Sequence, residues 1–202
     1  AFMEDVVTNG MESSRLRFAA LAYDKLILAT GSRPRKLSIP GSDLPGIHYL
    51  RTIADVDAIR AEMGAGKKIV IVGGGYIGLE VASVCVEAEM EVHVLEMESR
   101  ILQRVTTAEM SAYYHQLHSS RGVNLHVDTL VSGFEGGDRV ERVLCGDRSF
   151  DADLVIVGIG IIPNVELAEA AGISCDNGIL VNERCETSAK DVYSAGDCTN
   201  HP

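Results

Sequence analysis

The chain has 202 residues, of which 46% are hydrophobic and 23% charged, an ordinary globular composition large enough for one big domain or two smaller ones. Its formal net charge is −11, which argues against nucleic acid or an anionic membrane as a main partner. No apolar run is long enough to span a bilayer and the first residues do not read as a signal peptide, so a cytoplasmic protein is expected.

The first residues, 1–23, carry no clear start of a domain, although Leu16 to Ala22 has the pattern of a hairpin strand. Tyr23 to Leu28 reads as a buried strand, and Ala29-Thr30-Gly31 closes it with a small-residue turn. Pro34 and Pro40 make Arg33 to Gly41 an extended crossing segment. Thr52 to Arg60 has helical spacing, with Thr52 as N-cap and Asp55 three residues on.

The stretch from Lys67 to Glu96 organises the rest. Lys67 to Val72 is rich in β-branched residues and predicts a buried strand. Gly73-Gly74-Gly75-Tyr76-Ile77-Gly78 follows, a G-x-G-x-x-G pattern, and then an apolar helical stripe through Val81, Ala82, Val84, Cys85 and Ala88. Glu91 to Glu96 alternates as a second strand. A glycine pattern alone is weak, but between a strand and a helix it is the fingerprint of a dinucleotide site. Gly73 permits the turn, Gly75 lets a pyrophosphate approach, Gly78 lets the helix pack closely, and the helix N-terminus faces the phosphates. Glu96, 23 residues after Gly73, is placed to accept hydrogen bonds from a ribose 2′-hydroxyl and to repel a 2′-phosphate, which selects NAD(H) over NADP(H).

Beyond Glu96, Arg100-Ile101-Leu102 predicts a short turn over the nucleotide. Thr106 or Thr107 caps a helix running to about Ser120, with Met110, Tyr113, Tyr114 and Leu117 on one face. Val123 to Val127 is a third strand. Thr129 to Phe134 and Arg139 to Cys145 predict antiparallel strands about a turn at 135–138, extended by Arg148 to Phe150. Asp153 to Val157 is a buried strand ending in Gly158-Ile159-Gly160. After Pro163 come a short helix from Val165 to Ala171, a strand from Gly178 to Asn182, and a last strand that ends in Ala195-Gly196-Asp197.

The five cysteines form no C-x-x-C pair, the six histidines show no metal-ligand spacing, and no Ser/His/Asp arrangement is apparent. Cys198 is the thiol nearest a functional motif.

Three motifs in this order, Ala29-Thr30-Gly31, Gly73 to Gly78 with Glu96, and Ala195-Gly196-Asp197, resemble the FAD- and NAD(P)-dependent pyridine nucleotide-disulfide oxidoreductases. Gly73 to Glu80, Arg100 to Leu102, Ala152 to Ile156 with Gly158 to Gly160, and Asp176 to Ile179 resemble the ferredoxin-reductase branch. The resemblance implies an α/β fold: a Rossmann-like NAD-binding domain, with a parallel sheet and an antiparallel β-meander, at 39–162. Partial FAD-binding segments at 1–38 and 163–202 would flank it, without the first FAD fingerprint or the C-terminal domain.

It further implies NAD(H) contacts from Gly73, Gly74, Gly75, Tyr76, Ile77, Gly78, Glu80, Glu96, Arg104, Gly158, Ile159 and Gly160. Ala29, Thr30, Gly31, Gly196 and Asp197 would contact FAD. The implied activity passes a hydride from NADH to FAD and single electrons to a [2Fe–2S] ferredoxin. Two alternatives stay open: a non-catalytic NAD(H)-binding module, or a disulfide or peroxide reductase of the same fold. Arg33, Arg35 and Lys36 form the one clear basic cluster near a crossing segment, readable either as a patch for an acidic ferredoxin or as ordinary surface charge.

Overall fold

The computed structural model describes residues 21–202. Their chain divides into two compact units, one being the contiguous stretch Pro34–Ile161 and the other joining the described residues up to Arg33 with Ile162–Pro202. The strand expected over Leu16–Ala22 lies outside the described residues except for Leu21 and Ala22, which join no strand.

In chain order, β1 (Leu26–Leu28) and β2 (Ser32–Pro34) precede β3 (Ile47–Tyr49) and α1 (Ile53–Glu62). The central βαβ is β4 (Lys68–Val72), α2 (Tyr76–Glu87) and β5 (Glu91–Leu95). Next come α3 (Ala108–Ser120), β6 (Val123–His126), and the short strands β7 (Gly133–Glu135), β8 (Arg142–Cys145) and β9 (Arg148–Asp151). β10 (Leu154–Val157) leads to β11 (Ile161–Pro163), α4 (Glu166–Ala170), β12 (Ile179–Leu180), β13 (Val192–Ser194) and β14 (Thr199–Asn200).

The Pro34–Ile161 unit is built on a five-stranded parallel sheet in the order β3-β10-β4-β5-β6. Alternation along β4 decides what covers each face. Ile69 and Ile71 pack with Ala82 and Cys85 of α2 and with Ile59 of α1. Val70 and Val72 point the other way, against Phe134, Val140 and Val143 of the antiparallel meander β7-β8-β9. A strand buried on both faces has to be apolar throughout, and each branched side chain so buried stabilises the fold by roughly 1.5–3 kcal/mol. The helices begin where the sequence places them. Thr52 accepts from the Asp55 N–H at 3.3 Å while the Asp55 carboxylate accepts from the Thr52 N–H at 2.7 Å, a complete capping box. Thr107 caps α3 through the Met110 N–H.

Several expectations need correction. The apolar face drawn for α3 is only partly covered: Tyr114 and Leu117 are half-buried, but Tyr113 is 58% exposed and Met110 is exposed as well. The helix docks through Ser111, whose hydroxyl donates to the Ile101 carbonyl at 2.5 Å, and through Tyr114, which packs on Leu79, Ile101 and Leu102. A small residue there allows close approach. The first two meander strands are shorter than the sequence predicts, while the third runs one residue further, to Asp151. The Thr129 N–H donates to the Glu96 carbonyl at 2.9 Å rather than to a meander strand, and Arg139 leaves β8 to bond Glu62 and the Asp153 carbonyl. β3 was not anticipated, since three residues show no period.

The second unit pairs β1 with β13 in parallel and β12 with β14 in parallel. β1 is only partly buried: Leu28 faces Val192 and Ile179 in a small core, whereas Ile27 is 67% exposed.

Candidate functional site: a glycine-rich turn at a sheet switch point

Within the Pro34–Ile161 unit, β5 lies on one side of β4 and β10 on the other, so the carboxyl ends of β4 and β10 flank a topological switch point. Both strands end in glycine, and the Gly158 N–H donates to the Val72 carbonyl at 2.8 Å. Gly73 turns with φ +110, and a Cβ there would lie 2.4 Å from the Gly158 carbonyl oxygen, so this position admits only glycine. At Gly78 a Cβ would meet the Gly73 carbonyl oxygen at 2.1 Å, which is how the first turn of α2 sits against the end of β4. Gly75 is the N-cap of α2, no side chain caps that helix, and a Cβ built on Gly75 meets nothing within 4 Å.

The loop after β5 closes over this turn. The Glu96 carboxylate accepts from the Gly74 N–H at 2.7 Å and from the Glu98 N–H at 2.8 Å. Leu102, in the turn following Arg100, donates its N–H to the Gly74 carbonyl at 2.9 Å. Arg100 holds that turn by donating to the Gln103 and Thr106 carbonyls. Ile101 is buried beneath it, a packing role that the sequence did not separate from a nucleotide-facing one.

The structure therefore brings Gly73, Gly74, Gly75, Gly78, Glu96 and Gly158 to one place. It turns the Gly74 N–H toward Glu96 rather than outward. Tyr76 and Ile77 stand exposed at the start of α2. Glu80 lies one turn on, in a groove of about 190 Å³ shared with Tyr76, Ser83, Leu102, Tyr114 and His118, which groups it with α3 rather than with Gly158. Arg104 is directed at Glu98, Nη2 to Oε1 3.0 Å, and not at the glycine turn. Gly160 turns with φ +104, its carbonyl accepting from the Arg35 N–H at 2.9 Å, and Ile159 packs on the meander side of the sheet.

In the other unit, Ala29-Thr30-Gly31 and Ala195-Gly196-Asp197 follow the adjacent parallel strands β1 and β13. The Ala195 N–H donates to the Leu28 carbonyl at 3.1 Å, and Gly31 and Gly196 both turn with positive φ. Ser32 donates to an Asp197 oxygen at 3.0 Å, fixing a carboxylate that is otherwise exposed. Asn164 ties Thr30 down, its side-chain amide donating to the Thr30 carbonyl at 2.9 Å, and Arg33 donates to Asn164 Oδ1 and pairs with Glu166, each at 2.7 Å. Ser32 and Asn164 escaped the sequence reading because neither belongs to a recognisable motif. Burial pushes the Cys198 thiol up, but hydrogen bonds from Ser194, Thr30, the Gly31 N–H and Thr199 outweigh it and bring the thiol down to about 7.

A glycine turn leading from a parallel strand into a helix, at a switch point and beside a carboxylate just past the next strand, is the arrangement of the doubly wound, dinucleotide-binding class of protein. The chain belongs to the pyridine nucleotide-disulphide oxidoreductase family, whose model matches residues 6–202. It is 46% identical over 186 residues to putidaredoxin reductase CamA of Pseudomonas putida, covering 89% of this chain and 44% of that protein. It is 41% identical over 196 residues to the ferredoxin–NAD(+) reductase component of the anthranilate 1,2-dioxygenase system of Burkholderia cepacia, covering 94% of this chain and 48% of that one. Among solved structures, the reductase in a covalent putidaredoxin reductase–putidaredoxin complex superposes with a TM-score of 0.85 at 45% identity, over 91% of this chain and 46% of its own. The chain thus spans about half the length of the curated relatives it matches. No helix among the described residues is long and apolar enough to cross a membrane.

Proposed function

We propose that this chain is the nucleotide-handling part of a cytoplasmic, NADH-dependent flavoprotein reductase that delivers electrons to a [2Fe–2S] ferredoxin of an oxygenase system. Residues 39–162 hold NAD(H), and 1–38 with 163–202 contribute to the FAD site. The observation that carries the reading is the open space at Gly75, at an uncapped helix N-terminus and beside Glu96. A pyrophosphate needs that combination: backbone within reach, helix N–H groups, and the positive end of the helix dipole. The ferredoxin assignment draws on the names of the relatives.

The residues present fit both cofactors. For the nicotinamide dinucleotide, Gly75 offers the cradle and Glu96 the ribose acceptor, with Tyr76, Ile77, Glu80 and Gly158 to Gly160 around the turn. For FAD, Asp197 is an exposed carboxylate oriented by Ser32, between positive-φ glycines that let a ligand approach the backbone. FAD, when bound, supplies the two-electron to one-electron conversion. Hydride transfer needs no protein acid or base, so these residues act by fixing distance, orientation and charge.

Calorimetric titration of the folded chain tests the core of the reading. NADH is expected to bind, NADPH to bind at least tenfold more weakly, and Glu96→Ala to erase most of that difference. A wild-type chain that gives no heat with NADH overturns it. With the enzyme completed to the length of its relatives, NADH-driven reduction of a [2Fe–2S] ferredoxin that weakens with salt tests the partner.

A further inference from the structure

Gly74 is held from both sides. Its N–H donates to Glu96 Oε2 at 2.7 Å and its carbonyl accepts from the Leu102 N–H at 2.9 Å. The second Glu96 oxygen accepts from the Glu98 N–H at 2.8 Å. The surroundings are tight, since a Cβ on Gly74 would lie 2.9 Å from Ile101 Cγ2 and 3.1 Å from Glu96 Oε2. One carboxylate therefore ties the turn after β4 to the loop after β5 through two charge-assisted hydrogen bonds. Next to it Gly75 has no such neighbours.

We propose that Glu96 is a positioning residue for the glycine turn: it fixes the path of Gly73 to Gly75 before any nucleotide arrives, in addition to facing the ribose. This rests on the dinucleotide reading above. Its consequence is that coenzyme choice and loop order depend on one side chain. A substitution at 96 made to admit a 2′-phosphate also strips the Gly74 N–H of its acceptor, so affinity for NADH falls without a matching gain for NADPH.

Hydrogen exchange on the full-length, nucleotide-free protein separates the two roles. In Glu96→Ala the Gly74 and Glu98 amides are expected to exchange roughly ten- to a hundredfold faster than in wild type, the range for losing a bond to a charged acceptor. Protection of Ile69 to Val72 should not change. Glu96→Gln keeps one acceptor oxygen and puts an NH₂ opposite the other N–H. It should protect one of the two amides and leave the other as fast as in the alanine variant, and it carries the test if Glu96→Ala does not fold. Binding supplies the second readout, using NAD⁺ and an analogue whose adenosine ribose lacks both hydroxyls. A positioning role predicts that the substitution weakens both ligands at least fivefold. Unchanged exchange at Gly74 and Glu98, or equal binding of the dideoxy analogue to wild type and variant, overturns the proposal. If wild type binds neither ligand while Gly74 protection still depends on Glu96, the anchor stands and the dinucleotide reading falls.

Discussion

Two glycines three residues apart should respond to the same substitution in opposite ways. In Gly78→Ala the added Cβ would lie 2.1 Å from the Gly73 carbonyl oxygen, against an ordinary contact of about 3.4 Å. The obstacle is backbone and cannot rotate away, so α2 has to shift by about an ångström and loosen Leu79, Ala82 and Cys85 from the sheet. Overpacking of this kind costs about 3 kcal/mol, the upper end of the usual range. For a chain of this length that lowers Tm by roughly 6–12 °C. In Gly75→Ala the new Cβ meets nothing within 4 Å and the backbone, φ −81 and ψ −174, is one any residue adopts. The loss of a favourable N-cap glycine and the gain from a stiffer unfolded chain roughly cancel, leaving Tm within about 2 °C. NADH affinity should nevertheless fall at least tenfold, because the methyl fills the space a phosphate needs. Differential scanning calorimetry and NADH titration on both variants decide the matter. A Gly78→Ala protein as stable as wild type refutes the packing argument, and a Gly75→Ala protein that binds NADH normally refutes the cradle.

Other consequences follow from caps, histidines and thiols. Thr52→Ala removes half of the α1 capping box and should cost about 1 kcal/mol, visible as a Tm decrease of roughly 2–4 °C. Burial, the neighbouring His93 and Arg148 hold His126 below the usual imidazole value of 6.5, and burial does the same to His118. The folded state therefore favours their neutral forms, and this contribution is complete above about pH 6.5 and is lost as pH falls from there through the depressed folded values. Tm measured from pH 8 to 5 should decline over that window, and His126→Gln should flatten the decline; an unchanged slope refutes it. Alkylation at pH 8 should modify the half-buried Cys175 and Cys185 before Cys85, whose thiol burial pushes up to about 11. Cys198 is the informative case, since its thiol sits near 7 yet is fully buried; we expect access to decide, and mass spectrometry should find it unmodified in folded protein.

The βαβ at the centre was legible because its constraints are local. A strand covered on both faces must be apolar at every position, as Ile69 to Val72 are, and two carbonyl oxygens leave room only for glycine at 73 and 78. The capping box at Thr52 and the cap at Thr107 were legible for the same reason. What escaped was decided at a distance. β3 exists because β10 offers its edge to Ile47, His48 and Tyr49, and nothing within three residues announces that. Arg139 belongs to Glu62 and Asp153 rather than to β8, a choice made by residues remote in the chain. Ser111 joins Tyr114 in docking α3 because Ile101 presents a carbonyl to it, a choice the helical spacing does not announce. In the candidate site, Glu96 was found by its spacing, but its two backbone bonds were not, since a carboxylate may turn to solvent, ligand or main chain with no change in the local pattern. Arg104 shows the converse: a plausible phosphate ligand by position, already paired with Glu98.

The stretch Pro34–Ile161 is a single uninterrupted run of chain, and near its two ends the Arg35 N–H donates to the Gly160 carbonyl at 2.9 Å. A unit that starts and finishes at the same spot is a cassette. It can be cut out and expressed, or exchanged with the matching piece of a relative, without rerouting the host polypeptide. Evolution has the same freedom, and so this run and the chain on either side of it can drift on separate clocks within one gene.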